Sequence, residues 1–320
     1  MTTKRLLRIG TADSEITLGL WEMPPKGAAV YPPVLLVHGA TFGSALFDLP
    51  LAGYSLMQEL ASGGRFVYAI DVRGYGASTE SCVMNAPPEA HPPFARAHDA
   101  IEDIGAVVSA IRHRRSVQSI DLIGFSWGSI TAGWYASANA ADVRRLALYA
   151  PLFAENNSMW LNRIGDPADS SRLASHFGAY RLVTKDDVVA RWDGDVPGNP
   201  SDIRDDGVVD ALFEAAAIND DSSGSRHPRA FRCPNGAFAD LIEVFNGRPL
   251  YDPRMIEAPV LLVRGESDST STATDAHRLQ AAIGSEEKSY QEIAGGSHFL
   301  CIEKNRVSLY RAITAFLAGK

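Results

Sequence analysis

The stretch Ile120-Asp121-Leu122-Ile123-Gly124-Phe125-Ser126-Trp127-Gly128-Ser129 constrains this chain more than any other. Residues 119–123 read as a buried strand. From Ser129 to Ala138 small and apolar residues continue without proline, which reads as a tightly packed helix. Ser126 therefore falls on the turn between them, flanked by Gly124 and Gly128. Each glycine removes a Cβ, so strand and helix can approach closely while the serine is pushed out in a strained backbone conformation. Such a turn exposes Oγ and aims the N–H groups of the helix N-terminus at whatever the serine attacks. A G-x-S-x-G pattern alone is weak, so a base and an acid have to be found elsewhere.

Both are present. Near the C-terminus, Y-Q-E-I-A-G-G-S-H-F-L places His298 after a predicted strand, in a glycine-rich turn. Before it, P-V-L-L-V-R-G-E-S-D places Asp268 in the loop after an apolar run, with Glu266 two residues earlier as its rival. A hydroxyl becomes a useful nucleophile when an imidazole takes its proton and a carboxylate orients and stabilises that imidazole. Serine, acid, histidine is the chain order of α/β-hydrolases, and here the sequence resembles that family. The likeness runs from about Ile16 to Ala150 and again from about Pro259 to Ala318. It favours Asp268 over Glu266, because Asp268 stands at the family's G-x-x-D position.

Two more segments resemble the same family. P-V-L-L-V-H-G-A-T-F-G-S is similar to its strand followed by an H-G-x loop. By that resemblance the backbone N–H groups of Ala40 and Trp127 form an oxyanion hole, two fixed donors for the charge on a tetrahedral intermediate. Phe66 to Ser78 is similar to the family's D-x-R-G-x-G-x-S strand exit. Asp71 and Arg73 are assigned there to structure, as a charged pair tying the loop, and His38 to bracing the H-G loop.

The remaining strands are predicted at residues 4–9, 15–21, 34–37, 66–70, 146–149, 260–263 and 288–293, with helices such as 99–112 between several of them. Those between Val34 and Val263 are short and almost continuously apolar, as buried parallel strands are. This alternation predicts an α/β fold, a mostly parallel sheet covered by helices. Between Leu152 and Asp252 the character changes to many Asp, Asn, Ser and Arg residues, with helices predicted at 206–218 and 235–245. About a hundred residues are too many for a structureless loop. The segment looks like the family's inserted, mainly helical cap. The expected organisation is a core of residues 1–151 and 253–320 around a cap of residues 152–252. The proline-rich loop from Ser81 to Pro93 is a second excursion, expected near the pocket mouth. Pocket-lining candidates are Thr41, Trp160 and Phe299, with Trp192, Tyr180 and Phe245 as further cap aromatics.

Composition excludes several classes. The formal charge of −8 argues against a nucleic-acid or anionic-membrane partner. The one basic run, Arg112-His113-Arg114-Arg115, sits where a helix should end, where cations complement the helix dipole. His91, His98, His113, His176, His227 and His277 have no metal-ligand spacing, and the Asp/Asn-rich segments 202–206 and 219–221 read as caps and turns. No metal or other cofactor is expected. Cys82, Cys233 and Cys301 are too few and too scattered for a disulfide framework. With no apolar signal-like N-terminal run, a cytoplasmic protein is the simplest expectation.

Serine as nucleophile sets aside the family's epoxide and haloalkane hydrolases, which use a carboxylate there. S-W-G also resembles proline iminopeptidases, but H-G-A-T-F stands where they have H-G-G-P-G. A carboxylic ester or lactone hydrolase acting on a small molecule is the first expectation. The alternatives are a carbon–carbon hydrolase acting on a diketone and a non-catalytic or slowly hydrolysing ligand receptor.

Overall fold

Short runs without a polar face are stable only where both faces are covered, and that is where they lie. In the computed structural model, which describes residues 3–78, 81–196 and 198–319, the strands are, in chain order, β1 (Arg5–Gly10), β2 (Thr17–Met23), β3 (Val34–Val37), β4 (Val67–Asp71), β5 (Ile120–Phe125), β6 (Val143–Tyr149), β7 (Gly165–Asp166), β8 (Asp169–Leu173), β9 (Tyr180–Thr184), β10 (Ala230–Pro234), β11 (Val260–Gly265) and β12 (Lys288–Ile293). Eight of them form one sheet in the order β1-β2-β4-β3-β5-β6-β11-β12. From β4 to β12 every pairing is parallel, and β1 and β2 join antiparallel at one edge. Every residue of β3, β4, β5 and β11 is buried. Helices flank the sheet, with Ala97–Arg115 packed on Trp127–Ala138 and Leu56–Ser62 on Arg306–Leu317.

The chain leaves this sheet after β6 and re-enters it before β11. Between them, among the described residues, lie the α-helices Ser158–Ile164, Lys185–Asp193, Pro200–Ile203, Val208–Ala217 and Gly236–Phe245 and two small antiparallel ladders, β7 with β8 and β9 with β10. The ladders are what the sequence pattern misses. The departure is pinned by Asp275, whose carboxylate accepts the Phe153 and Ala154 N–H groups at 2.8 and 2.9 Å. The loop 81–93 folds against the insertion instead of the pocket mouth: Ala179 N–H donates to Pro88 O at 2.7 Å and Tyr180 Oη to Ala86 O at 3.0 Å.

Asp71 and Arg73 are both structural, yet they do not pair with each other. The chain turns straight after β4, so the two side chains diverge. Asp71 accepts the Ser44 and Ala77 N–H groups at 2.7 and 2.9 Å, while Arg73 forks onto the buried Asp103 at 2.7 and 3.1 Å. The basic run does close its helix. Arg114 and Arg115 reach across to Glu22 on β2, which also meets Arg5 and, at 2.6 Å, the Tyr68 hydroxyl.

Burial alone would raise the Glu22 pKa, but its hydrogen bonds to Tyr68, Arg5 and Arg115 bring it from 4.5 down to about 2. A depressed acid contributes stability that is present above the unfolded-state value and lost as pH falls through the folded one. Glu22→Gln should therefore cost about 2–3 kcal/mol near neutral pH, since it strands cations around a buried site. Denaturant titrations at pH 7 and at successive steps between pH 4.5 and 2 should show the gap between the two proteins closing.

Candidate active site

Ser126 sits between β5 and the helix Trp127–Ala138 with φ 56° and ψ −120°, a conformation costly for any residue with a side chain. The close approach behind it accounts for the strain. A Cβ on Gly124 would stand 2.3 Å from Gly128 O, and one on Gly128 would stand 2.4 Å from both Val37 O and His38 O. Helix, β5 and β3 therefore touch backbone to backbone. Tyr149 at the end of β6 fixes the serine from the side by accepting its N–H at 3.0 Å.

The other predicted residues come to the same end of the sheet. His298, after β12, brings Nε2 to 2.9 Å from Ser126 Oγ. Its Nδ1 lies 2.8 and 3.0 Å from the two carboxylate oxygens of Asp268, which follows β11. Because a carboxylate only accepts, Nδ1 is the protonated nitrogen of the neutral ring and Nε2 faces the serine as acceptor. Asp268 is buried, which pushes its pKa up, but His298, the Ser271 N–H and Arg191 outweigh burial and leave it below the ordinary aspartate value. Thr270 and Ser271 N–H groups both donate to its Oδ1 at 2.9 Å. Glu266 points elsewhere, accepting the Gly295 N–H at 2.9 Å.

Ala40 follows β3, and Trp127 begins the helix after Ser126. Neither N–H has a protein acceptor among the described residues. His38 braces the loop between them: Val72 N–H donates to its Nε2 at 3.1 Å, and its Nδ1 lies 2.7 Å from Gly39 O. Burial pushes its pKa down despite the nearby Asp71, which keeps the ring neutral and structural.

A cavity of about 420 Å³ opens over Ser126 and His298. Thr41, Trp160 and Phe299 line it, as do Phe177, Arg181 and Phe238, which the sequence did not single out. Trp192, Tyr180 and Phe245 do not. Trp192 is wholly buried and donates through Nε1 to Glu303 at 2.9 Å, and Phe245 stacks behind Trp160 at 5.7 Å. Polar ties join the insertion to the loops around Ser126. Asp240 accepts the Trp127 indole N–H at 3.0 Å. Thr270 Oγ1 accepts from Trp160 Nε1 at 2.9 Å and from Arg191. Glu303, bonded to Trp192, also accepts the Ser297 N–H at 3.0 Å beside His298. Arg181 Nη2 donates to Ala40 O at 3.1 Å. Among the described residues no group of His, Cys, Asp and Glu is arranged to hold a metal ion.

The sequence pattern of the alpha/beta hydrolase family matches residues 34–307, a span that includes every one of these loops. The chain belongs to the alpha/beta hydrolase family. Solved structures of the same fold include a hydrolase from Pseudomonas aeruginosa PA01, 19% identical with a TM-score of 0.66 over 99% of each chain. E-2-(acetamidomethylene)succinate hydrolase is 19% identical, with a TM-score of 0.64 over 99% of this chain and all of the other. A thermophilic esterase from Thermogutta terrifontis is 16% identical, with a TM-score of 0.63 over 98% of both. At these identities the likeness carries the fold alone. No curated protein matches the sequence.

Two glycine substitutions, one in the elbow and one outside it as a control, test this packing. Gly128→Ala should cost about 3 kcal/mol or more, because the new methyl meets fixed backbone. Gly105→Ala, in the interior of a helix where the methyl finds only an ordinary contact with Tyr135 at 3.6 Å, should be neutral or stabilising by about 0.5–1 kcal/mol. Thermal unfolding of the two variants beside the parent checks both signs.

Proposed function

We propose that this member of the alpha/beta hydrolase family is a serine hydrolase that cleaves a carboxylic ester or lactone through an acyl-enzyme on Ser126. The observation that carries the reading is the continuous hydrogen-bonded chain from Ser126 Oγ through both His298 nitrogens to the Asp268 carboxylate. In the proposed reaction His298 Nε2 takes the hydroxyl proton as Oγ attacks the carbonyl carbon. Asp268 holds the ring in the tautomer this requires and stabilises the imidazolium. The carbonyl oxygen becomes an oxyanion received by the Ala40 and Trp127 N–H groups, which need no rearrangement to donate to it. His298 then gives its proton to the leaving oxygen, and the same ring activates the water that releases the acid and restores Ser126.

The insertion 152–252 serves in this reading as a cap. Trp160, Phe177 and Phe238 wall the cavity and keep bulk water from the acyl-enzyme until hydrolysis. The cavity volume of about 420 Å³ fits a small-molecule substrate. A reducing, cytoplasmic setting belongs to the same proposal, supported by three cysteines that are all free thiols. No helix among the described residues is long and apolar enough to cross a membrane.

A fluorophosphonate should label the protein at Ser126, and a short-chain activated ester should be turned over many times. Ser126→Ala should lose the label and about a thousandfold or more of the turnover with little change in stability. Unchanged turnover in that variant would sink the mechanism. Labelling with a single turnover would point to a receptor, and much faster cleavage of a vinylogous diketone to carbon–carbon hydrolysis.

A further inference from the structure

The cavity over Ser126 is lined by three guanidinium groups, Arg163, Arg181 and Arg191, and by one carboxylate, Asp187. This is an unexpected balance in a chain whose net charge is −8. Asp187 caps its own helix, accepting the Thr184 N–H at 2.8 Å and hydroxyl at 2.6 Å, and among the described residues it forms no ion pair with any of the three. Arg191 is neutralised inside the protein by Asp195 at 2.8 Å. The other two are not neutralised.

Arg181 is half-buried and rests on the face of Phe238 at 3.9 Å. Its Nη1 donates to Pro234 O at 3.1 Å and Asn235 Oδ1 at 3.0 Å, and its Nη2 to Ala40 O at 3.1 Å and Thr41 Oγ1 at 3.2 Å. All four acceptors are neutral, and no carboxylate among the described residues lies within ion-pair distance of it. The titratable groups beside it are Tyr75 and Cys233. Burial raises the pKa of both, well above the ordinary phenol value for Tyr75, so neither carries negative charge near neutral pH. Arg163, at the exposed rim, lies over Trp160 at 5.5 Å and makes no hydrogen bond or ion pair among the described residues. A tie between β9 and the Ala40 loop needs donors, and a neutral amide would supply them. What Arg181 adds is a charge, partly withdrawn from water, that no carboxylate among the described residues pairs with, and such a charge is costly until an anion meets it. Its Nε–H and the whole Arg163 fork remain to bind one, and a planar guanidinium matches a carboxylate.

We infer that the cavity selects small substrates carrying an ionised carboxylate at the end remote from the bond attacked, held at Arg181 and Arg163. The class is that of half-esters of short dicarboxylic acids and of lactones bearing a carboxylate. The geometry relative to Ser126 rests on the hydrolase reading above, whereas the binding of the anion does not.

Two measurements keep the two apart. The first compares kcat/KM for the para-nitrophenyl half-ester of glutaric acid with that for a neutral para-nitrophenyl alkanoate of matched length. The half-ester should be preferred by about tenfold or more at low salt, with the preference shrinking as salt is added. Arg163→Gln and Arg181→Met should each reduce the preference by about tenfold, and Arg181→Lys should keep part of it. The second titrates Ser126→Ala protein with glutarate and with glutaramide by calorimetry, which needs no turnover. Glutarate should bind and glutaramide should not. Glutarate binding without turnover of any ester supports the anion site and removes the hydrolase reading. Equal handling of the charged and neutral members in both measurements overturns the inference, as does a preference that survives Arg163→Gln and Arg181→Lys undiminished. Should Arg181→Met fail to fold, Arg163→Gln, Arg181→Lys and the salt dependence decide the matter.

Discussion

Backbone contact between the helix Trp127–Ala138 and strands β3 and β5 is the constraint on which the site depends. The helix lies so close that Gly124 and Gly128 leave no room for a methyl group. That closeness compresses the strand-to-helix turn into a single residue and forces Ser126 to a positive φ. Strain of this kind costs about 1–3 kcal/mol and persists only where the surroundings over-determine it. Here they do. Tyr149 O holds the Ser126 N–H at 3.0 Å, Ser129 donates back to Ser126 O, and β5 and its neighbour β3 are wholly buried. One packing decision thus delivers a hydroxyl facing the cavity, the helix N-terminus behind it, and the Val37–Ala40 segment alongside.

The second organising feature is that the insertion is tied to the site and does not simply rest on it. Each loop that approaches Ser126 has its own partner from the insertion: Asp240 for Trp127, Arg191 and Trp160 for Thr270 beside Asp268, Trp192 through Glu303 for the His298 loop, and Arg181 for Ala40. Glu303 is buried, and burial raises its pKa even though Ser297 and Trp192 hydrogen-bond to it. Displacing the elements that carry these ties breaks polar bonds, and the loss of a buried one is penalised by about 1–3 kcal/mol. In the proposed function, that coupling lets the same residues shape the cavity and hold the reacting groups in register.

Much of this could be read in the chain itself. β3 and β12 begin and end where the sequence predicts them, and Ser126, Asp268 and His298 meet as their order implied. These features share one cause: each depends on local pattern, a strand-like run followed by glycine and then a reactive side chain, and the runs before Ser126 and Asp268 are almost wholly apolar. What escaped depends on contacts between distant segments. β9 and β10 pair across some fifty residues, carry half-exposed positions and lack a core-strand signature. Arg181 lies on β9, Phe177 in the loop before it and Phe238 on the helix Gly236–Phe245, with no shared periodicity. Asp240 did leave a trace, as a charged residue on the mostly apolar helix Gly236–Phe245. The supposed Asp71–Arg73 pair failed because closeness in sequence does not survive a turn at the strand end.

The central claim is that Ser126 and His298 act as one chemical unit, and a kinetic double-mutant cycle tests it most directly. Ser126→Ala, His298→Ala and the double variant would be compared with the parent on the same activated ester. If the serine works only through the histidine, each single change should cost about as much in kcat as both together. Losses that multiply, with the double variant slower than either single one by the product of their separate effects, would contradict the account.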